Sequence, residues 1–195
     1  MDIHIQKISG NWKEGFALDL HTNWSIPDPE SPSGWMTSRP PIGEELYQLK
    51  YCHDKTKVDS IATEAANYLS TTCKNWNIDV IIPIPPSDTS RSFQPVYELA
   101  ISISKKLNLA LDQSTLIKTK STSQLKSIED PTERKKILNG AFDIKLTTLQ
   151  NKNVLLFDDL FRPGETLNAA TDVILQKGKA KNVFVLTITK TRTKR

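Results

Sequence analysis

Two hydrophobic periods alternate along the chain, and the places where one gives way to the other mark its elements. From Val58, the apolar residues Val58, Ile61, Ala62, Ala65 and Leu69 recur at helical spacing. The run "DVIIPI" at 79 to 84 follows and is apolar at nearly every position, as a strand buried on both faces must be. A second helix is expected to begin at Pro95, whose fixed φ suits a first turn, with Val96, Leu99, Ala100, Ile103 and Leu107 on a single face. "STLIKT" reads as a strand, residues 119 to 130 as a polar loop, and "DPTERKKIL" as a helix capped by Asp130, with Pro131 and Glu133 in its first turn. The last third predicts a buried strand at "VLLFDDL", a helix at "ETLNAATDVILQK" closed by Gly178, and a final strand at "NVFVLTIT".

Before Val58 the pattern is less regular. "IHIQKI" and "GFALDL" cluster apolar residues around Gly10 and Gly15 and predict a short antiparallel pair. Residues 23 to 42 hold five prolines, whose locked φ angles and missing N–H donors argue against a helix or a central strand. An ordered loop or cover is expected there, with Trp24 and Trp35 offering apolar surface to bury. Strands alternating with helices predict an α/β fold, a Rossmann-like parallel sheet with helices on both faces. The division expected is an N-terminal hood or cover over residues 1–50 and a core domain over 51–195.

Composition narrows the classes. A chain of 195 residues with 37% apolar and 25% charged residues can bury the core of one principal domain. A net charge of +4 suits an anionic small-molecule ligand without requiring nucleic acid. The two cysteines, Cys52 and Cys73, are too few for a disulfide framework, and with His53 they lack a fourth clustered ligand for zinc. No stretch approaches the roughly 18 consecutive apolar residues of a membrane span, so a cytoplasmic protein is expected.

The chemistry concentrates in "NVLLFDDLFRPGETLNAA", residues 153 to 170. Ligands of open parallel sheets bind beyond the carboxyl ends of the strands, which is where Asp158 and Asp159 are expected to stand. The turn after them delivers the chain to a helix N-terminus, whose free N–H groups and dipole favour an anion such as phosphate. Consecutive strand carboxylates point to different sides, so one can accept from sugar hydroxyls while the other reaches backbone donors or a hard cation. Side by side, these features fit a ribose 5-phosphate. The alternatives lack their motifs: there is no G-x-x-x-x-G-K-[ST], no G-x-G-x-x-G and no G-x-S-x-G.

"VLLFDDLFRPGET" resembles the phosphoribosyl pyrophosphate (PRPP) signature of type I phosphoribosyltransferases. With "IGEELYQLKY", "DVIIPIPPS", "RSFQPVYELA" and "LIKTKSTSQLKSIEDPTERKKILNGAF" in the same order, residues 42 to 190 are similar to its ComF-like branch. The resemblance implies transfer of a phosphoribosyl group from PRPP to a nitrogen acceptor with release of pyrophosphate, and Mg²⁺ as cofactor. It places ribose and 5-phosphate on Asp158, Asp159, Arg162, Pro163, Gly164, Glu165 and Thr166, with Asp158 and Asp159 also facing the metal. Pyrophosphate falls to Pro85, Pro86, Ser87 and Arg91, and a closing loop to Lys118, Lys120 and Lys126. Asp158, Asp159 and Arg91 are the residues expected to carry catalysis.

The family commonly has Thr or Ser at the two positions before Gly164. Here Arg162 and Pro163 remove one hydroxyl and one backbone donor, which Arg162 could replace by a charge-assisted contact. Lys50 and Tyr51 match a family "KY" pair with no role assigned. The acceptor is expected in the N-terminal hood, where Trp12, Trp24 and Trp35 could stack on a base. The partners expected are therefore small molecules, with neither a membrane nor nucleic acid and with a homodimer left open. The alternative is a non-catalytic PRPP sensor or DNA-uptake accessory on the same fold.

Overall fold

The computed structural model describes residues 1–88, 91–119, 140–145, 149–162 and 165–192. The expected helix at 130–138 and residues Lys120, Lys126, Pro163 and Gly164 lie outside them, as does the side chain of Glu165. Among the described residues, no helix is long and apolar enough to cross a membrane.

The apolar runs assemble into one six-stranded sheet. In chain order its strands are β1 (Gln6–Lys7), β2 (Glu14–Leu20), β5 (Val80–Pro83), β6 (Ala110–Leu111), β9 (Asn153–Phe161) and β10 (Asn182–Lys190). Their order in space is β1-β2-β10-β9-β5-β6. All neighbours pair in parallel except β1 with β2, which form the predicted antiparallel pair. β9 and β10 occupy the centre, and their nearly unbroken apolar runs leave no face that could be turned to water.

Helices cover both faces. On one side, α1 (Pro41–Tyr51), α2 (Lys57–Thr71) and α3 (Pro95–Leu107) bury Leu46, Leu49, Ile61, Leu69, Leu99 and Ile103 against Leu155, Phe157, Leu186 and Ile188 of the sheet. On the other, α4 (Glu165–Gln176) sets Leu167, Ala170 and Ile174 against Val154, Leu156, Val183 and Val185. From Val154 to Phe157, odd positions of β9 therefore face the first layer and even positions the second, as the period of two requires, while Phe161 at the strand's end packs with the second layer against Trp12. The expected α/β fold, a parallel sheet with helices on both faces, is borne out.

Several local expectations need correction. Residues 14 to 20, within the span expected as the hood, form β2, which also pairs in parallel with β10 and belongs to the central sheet. The proline-rich stretch is a two-stranded hairpin, β3 (Trp24–Pro27) with β4 (Trp35–Ser38), apart from that sheet. Prolines are tolerated because both strands are edges, and Pro27 takes the last paired position. Gly34 completes the turn at φ +73, a conformation that costs glycine little. Trp24 and Trp35 are not buried but 44% and 51% exposed.

"STLIKT" supplies β7 (Leu116–Lys118), which leaves the central sheet to pair with β8 (Phe142–Ile144). Two apolar residues followed by a lysine cannot fill a position covered on both faces, and the sheet edge goes instead to β6. α1 was not predicted, although its buried residues Ile42, Leu46 and Leu49 stand at i, i+4 and i+7, a helical spacing.

α1 packs tightly against the end of β2. A Cβ on Gly43 would stand 2.8 Å from the backbone oxygen of His21 and 3.2 Å from that of Leu20. Two consecutive backbone carbonyls and the Pro40 ring at 3.1 Å leave little to yield, so Gly43→Ala should destabilise the fold by about 1–3 kcal/mol, the usual cost of overpacking. Urea denaturation of the variant beside wild type measures this. An unchanged midpoint would mean that α1 has room to shift.

Candidate functional site

β9 does not stop at its acidic pair but runs through Asp158 and Asp159 to Phe161. Neighbouring strands keep it company to this level: Thr187 of β10 stands opposite Asp158, and Ile84 donates its N–H to the Phe157 carbonyl at 2.8 Å. Beyond Ile84 the chain after β5 leaves the sheet through Pro85, Pro86 and Ser87, and so passes beside the two carboxylates. Pro85 is buried and Ser87 exposed. β9 ends at Phe161 and α4 begins at Glu165, so residues 162 to 164 form the whole connection to the helix N-terminus.

The strand's alternation sends the two carboxylates to opposite faces. Asp159, on the face covered by α1, is buried and pairs with Lys50 of α1, Nζ to Oδ2 at 2.7 Å. The side chains are only 10% and 20% exposed, so this pair is shielded from salt in a way that surface pairs are not. Burial by itself would pull the Lys50 pKa down. The Asp159 charge and hydrogen bond, with Asp158 adding to them, outweigh burial and raise it.

Asp158, on the α4 face, is half-buried and accepts the backbone N–H of Asp159 at 2.8 Å. Burial first, and the neighbouring Asp159 charge second, push its pKa up to about 7. That backbone hydrogen bond and the Lys50 and Lys118 charges act in the opposite direction.

Lys118 comes from β7 and lies within electrostatic reach of Asp158. Its Nζ donates to Ser87 Oγ at 2.8 Å and stands 5.5 Å from the Phe142 ring centre. Burial lowers its pKa, partly opposed by Asp158. It is thus a strand residue with a fixed partner in the turn after β5. Arg91, assigned to the same turn, pairs with Asp88 at 3.2 Å in a largely exposed contact. Such pairs contribute at most about 1 kcal/mol, so Arg91 can be redirected at little cost.

His21, at the end of β2, was not singled out by sequence. Burial, then the charges of Lys50, Arg39 and Arg162, lower its pKa to about 4 against the opposing pull of Asp159. It is therefore neutral at pH 7 and joins the acidic pair to a group of cations. Its Nδ1 is 3.2 Å from Thr189 Oγ1.

The structure thus brings together Asp158, Asp159, Ser87 and Lys118, with Thr166 half-buried at the start of α4 and Arg162 exposed just before it. It adds Lys50, His21 and Arg39. Only Lys50 carried a sequence signal, as half of the "KY" pair. His21 and Arg39 had none, because their relevance comes from the packing of α1 against β2.

The comparisons with known proteins agree with this picture in part. No family model matches the chain. It is 26% identical over 151 residues to the competence protein ComFC of Bacillus subtilis (strain 168), a match covering 74% of this chain and 58% of that protein's length. The ComF-like resemblance is borne out by this match. Solved structures similar to the chain include a purine phosphoribosyltransferase from Pyrococcus horikoshii Ot3, at 18% identity and a TM-score of 0.42, covering 70% of this chain and 84% of that one. Adenine phosphoribosyltransferase from Leishmania tarentolae is similar at 12% identity and a TM-score of 0.45, covering 96% and 94%.

The raised pKa of Asp158 has a measurable consequence. A carboxyl that holds its proton more tightly when folded stabilises the fold at low pH, and that contribution is lost as pH rises from about 4 through about 7. Asp158→Asn keeps the shape and removes the charge. Its melting temperature should match wild type near pH 4 and exceed it by a growing margin up to about pH 8, where the difference levels off. A margin independent of pH would show that Asp158 titrates normally.

Proposed function

We propose that this chain is a phosphoribosyltransferase-like protein that binds PRPP with Mg²⁺ and transfers the phosphoribosyl group to a nitrogen acceptor, in a cytoplasmic setting. The observation that carries this reading is the order at the end of β9: two carboxylates facing opposite ways, flanked by Lys50 and Lys118, and followed at once by a helix N-terminus. A phosphate on the backbone N–H groups of residues 164 to 166 would meet the positive end of α4. The ribose hydroxyls would then lie against Asp158 and Asp159, with Arg162 replacing the missing hydroxyl donor by its charge.

Among the described residues there is no cluster of three or more acidic, His or Cys side chains that could cage a cation. The pair nonetheless fits Mg²⁺, which typically binds through one or two carboxylates and completes its shell with waters and substrate phosphates. Asp158 and Asp159 would hold it, and it would neutralise charge on the leaving pyrophosphate.

In the transfer itself the C1–O bond to pyrophosphate breaks with its electron pair going to oxygen. The acceptor nitrogen's lone pair forms the new C1–N bond and its proton leaves to solvent. No side chain of the protein acts as nucleophile. Its contribution is electrostatic: Lys118 beside Ser87, together with Arg91 once turned from Asp88, meets charge that grows on the departing oxygens, while the carboxylates hold the ribose.

The second reading, a PRPP-binding sensor or accessory, has its own support in the similarity to ComFC and in the pairing of Arg91 with Asp88. Calorimetry with PRPP separates the cases. Wild type should bind PRPP in the presence of Mg²⁺, lose most of that affinity in EDTA, and bind more tightly as pH rises through about 7 and Asp158 loses its proton. Arg162→Ala should weaken binding by ~1.5–3 kcal/mol, the size of a charged hydrogen bond. Arg91→Ala should slow pyrophosphate release more than it weakens binding if the protein is a transferase. Absence of PRPP binding at millimolar concentration overturns both readings. Binding without pyrophosphate release, with any purine, pyrimidine or pyridine base or ammonia, leaves the sensor.

A further inference from the structure

The end of the sheet opposite the carboxylates carries a row of lysines that the phosphoribosyl-transfer reading leaves unused. In a parallel sheet the residues just before each strand lie together at one edge. Those before three adjacent strands, β2, β10 and β9, are Lys13, Lys181 and Lys152. Backbone bonds fix their spacing: Lys13 donates its N–H to the Val183 carbonyl at 2.9 Å, and Lys181 to the Lys152 carbonyl at 2.8 Å. Lys179, in the turn after α4, accepts the Asn151 N–H on its carbonyl at 3.0 Å. Lys74 belongs to the short turn that ends at Asn77, whose carbonyl accepts from the Asn153 side chain at 3.0 Å.

These five lysines have no carboxylate partner among the described residues, whereas Lys177 beside them pairs with Asp143 at 2.8 Å. Four are exposed and Lys152 is partly so. The acids at these strand starts, Glu14 and Asp79, are each turned to a protein donor, the Trp76 indole N–H at 2.7 Å and the Asn153 backbone N–H at 2.7 Å. Amides fill the space between, with Asn182 donating to the Asn153 side chain at 2.7 Å. Lys179 also keeps a left-handed backbone at φ +54, where glycine would fit with less strain. Crowded like charges and a strained lysine both work against the fold, and an incoming counter-charge would offset them.

The counter-charge that fits is a spread of phosphates. All five cations are lysines, point charges without the planar fork with which arginine seats a single phosphate or reads a base. The rings at this edge are covered, Trp76 and Phe184 each being 3% exposed, so neither is offered for a nucleobase to stack on. Asp158 lies six residues along β9 from Lys152, about 20 Å away, so an occupied edge leaves the carboxylates open. We propose that this lysine edge docks the protein on an anionic lipid surface, its ammonium groups against headgroup phosphates and the carboxylate end of the sheet turned to solution. Attachment of this kind needs no spanning helix, since clusters of about four to eight basic residues suffice to hold a protein at such a surface. A row of lysines and asparagines has nothing to insert among acyl chains, so the binding rests on charge and is reversible. The inference does not depend on the phosphoribosyl-transfer reading.

The test is co-sedimentation of the full chain with vesicles of phosphatidylcholine alone or with about one-third phosphatidylglycerol, at about 0.1 M and about 1 M salt. Wild type should sediment with the anionic vesicles at the lower salt and stay in solution with the neutral ones. Raising the salt shortens the screening length from about 10 Å to about 3 Å and should release it. Lys152→Gln with Lys181→Gln should weaken binding about 10-fold or more, at about 5-fold for each lysine. Lys55→Gln with Lys57→Gln, an equal loss of charge at the start of α2, should leave binding within about 2-fold of wild type. Lys179→Gly removes a charge and relieves the left-handed turn. It should weaken binding about 5-fold without lowering the melting temperature, and it carries the test if the double variant fails to fold. The inference is overturned if wild type stays in solution with anionic vesicles at the lower salt, if it sediments equally with neutral ones, or if the folded edge variants bind like wild type. A single-stranded oligonucleotide added to the loaded vesicles supplies the last arm. Release of the protein, with oligonucleotide binding lost in Lys152→Gln with Lys181→Gln, would assign the edge to nucleic acid and overturn the lipid reading.

Discussion

A strand covered on both faces can carry charge only where its cover ends or where a counter-charge is supplied, and β9 meets that limit at Asp158 and Asp159. From Val154 to Phe157 it is fully enclosed by the two helical layers. One step further it holds two adjacent carboxylates, one buried and one half-buried. Placing two like charges there without compensation would be costly, because desolvation adds to their mutual repulsion. Lys50 from one layer and Lys118 from the other face supply the compensation, and the remaining strain is expressed in the raised pKa of Asp158.

The same constraint organises the surrounding elements. Lys50 reaches Asp159 only because α1 lies close against the end of β2, an approach that Gly43 permits by having no side chain. Lys118 reaches the site only because β7 leaves the central sheet and pairs with β8. Its bond to Ser87 then ties that small sheet to the turn after β5. Arg39, just ahead of α1, contributes to keeping His21 neutral.

Function follows from polarity arranged in layers. The carboxylates suit hydroxyls and a substrate-borne cation, the N-terminus of α4 suits a phosphate, and the cations on either side suit a leaving group that gains negative charge. Each preference is modest alone. Their value to catalysis would lie in being held in place before the substrate arrives, so that little reorganisation is needed when charge moves.

What the sequence determined by itself were the features that depend on neighbours along the chain. The period of two in β9 and β10, the helical spacing in α2 and α3, and the passage from two acids through a Pro-Gly turn into a helix all follow from local geometry, and they made the fold class and the acidic pair legible. The tertiary structure decided which cation meets which carboxylate. No local rule pairs Lys50 with Asp159 or holds Lys118 against Ser87. It also decided that the proline-rich stretch forms a hairpin with exposed tryptophans, because a two-stranded ribbon made only of edges accepts prolines that a central strand would reject. The two lysine pairings depend on charges meeting across long sequence separations, where burial sets both their strength and their cost, and burial is known only once the layers are packed.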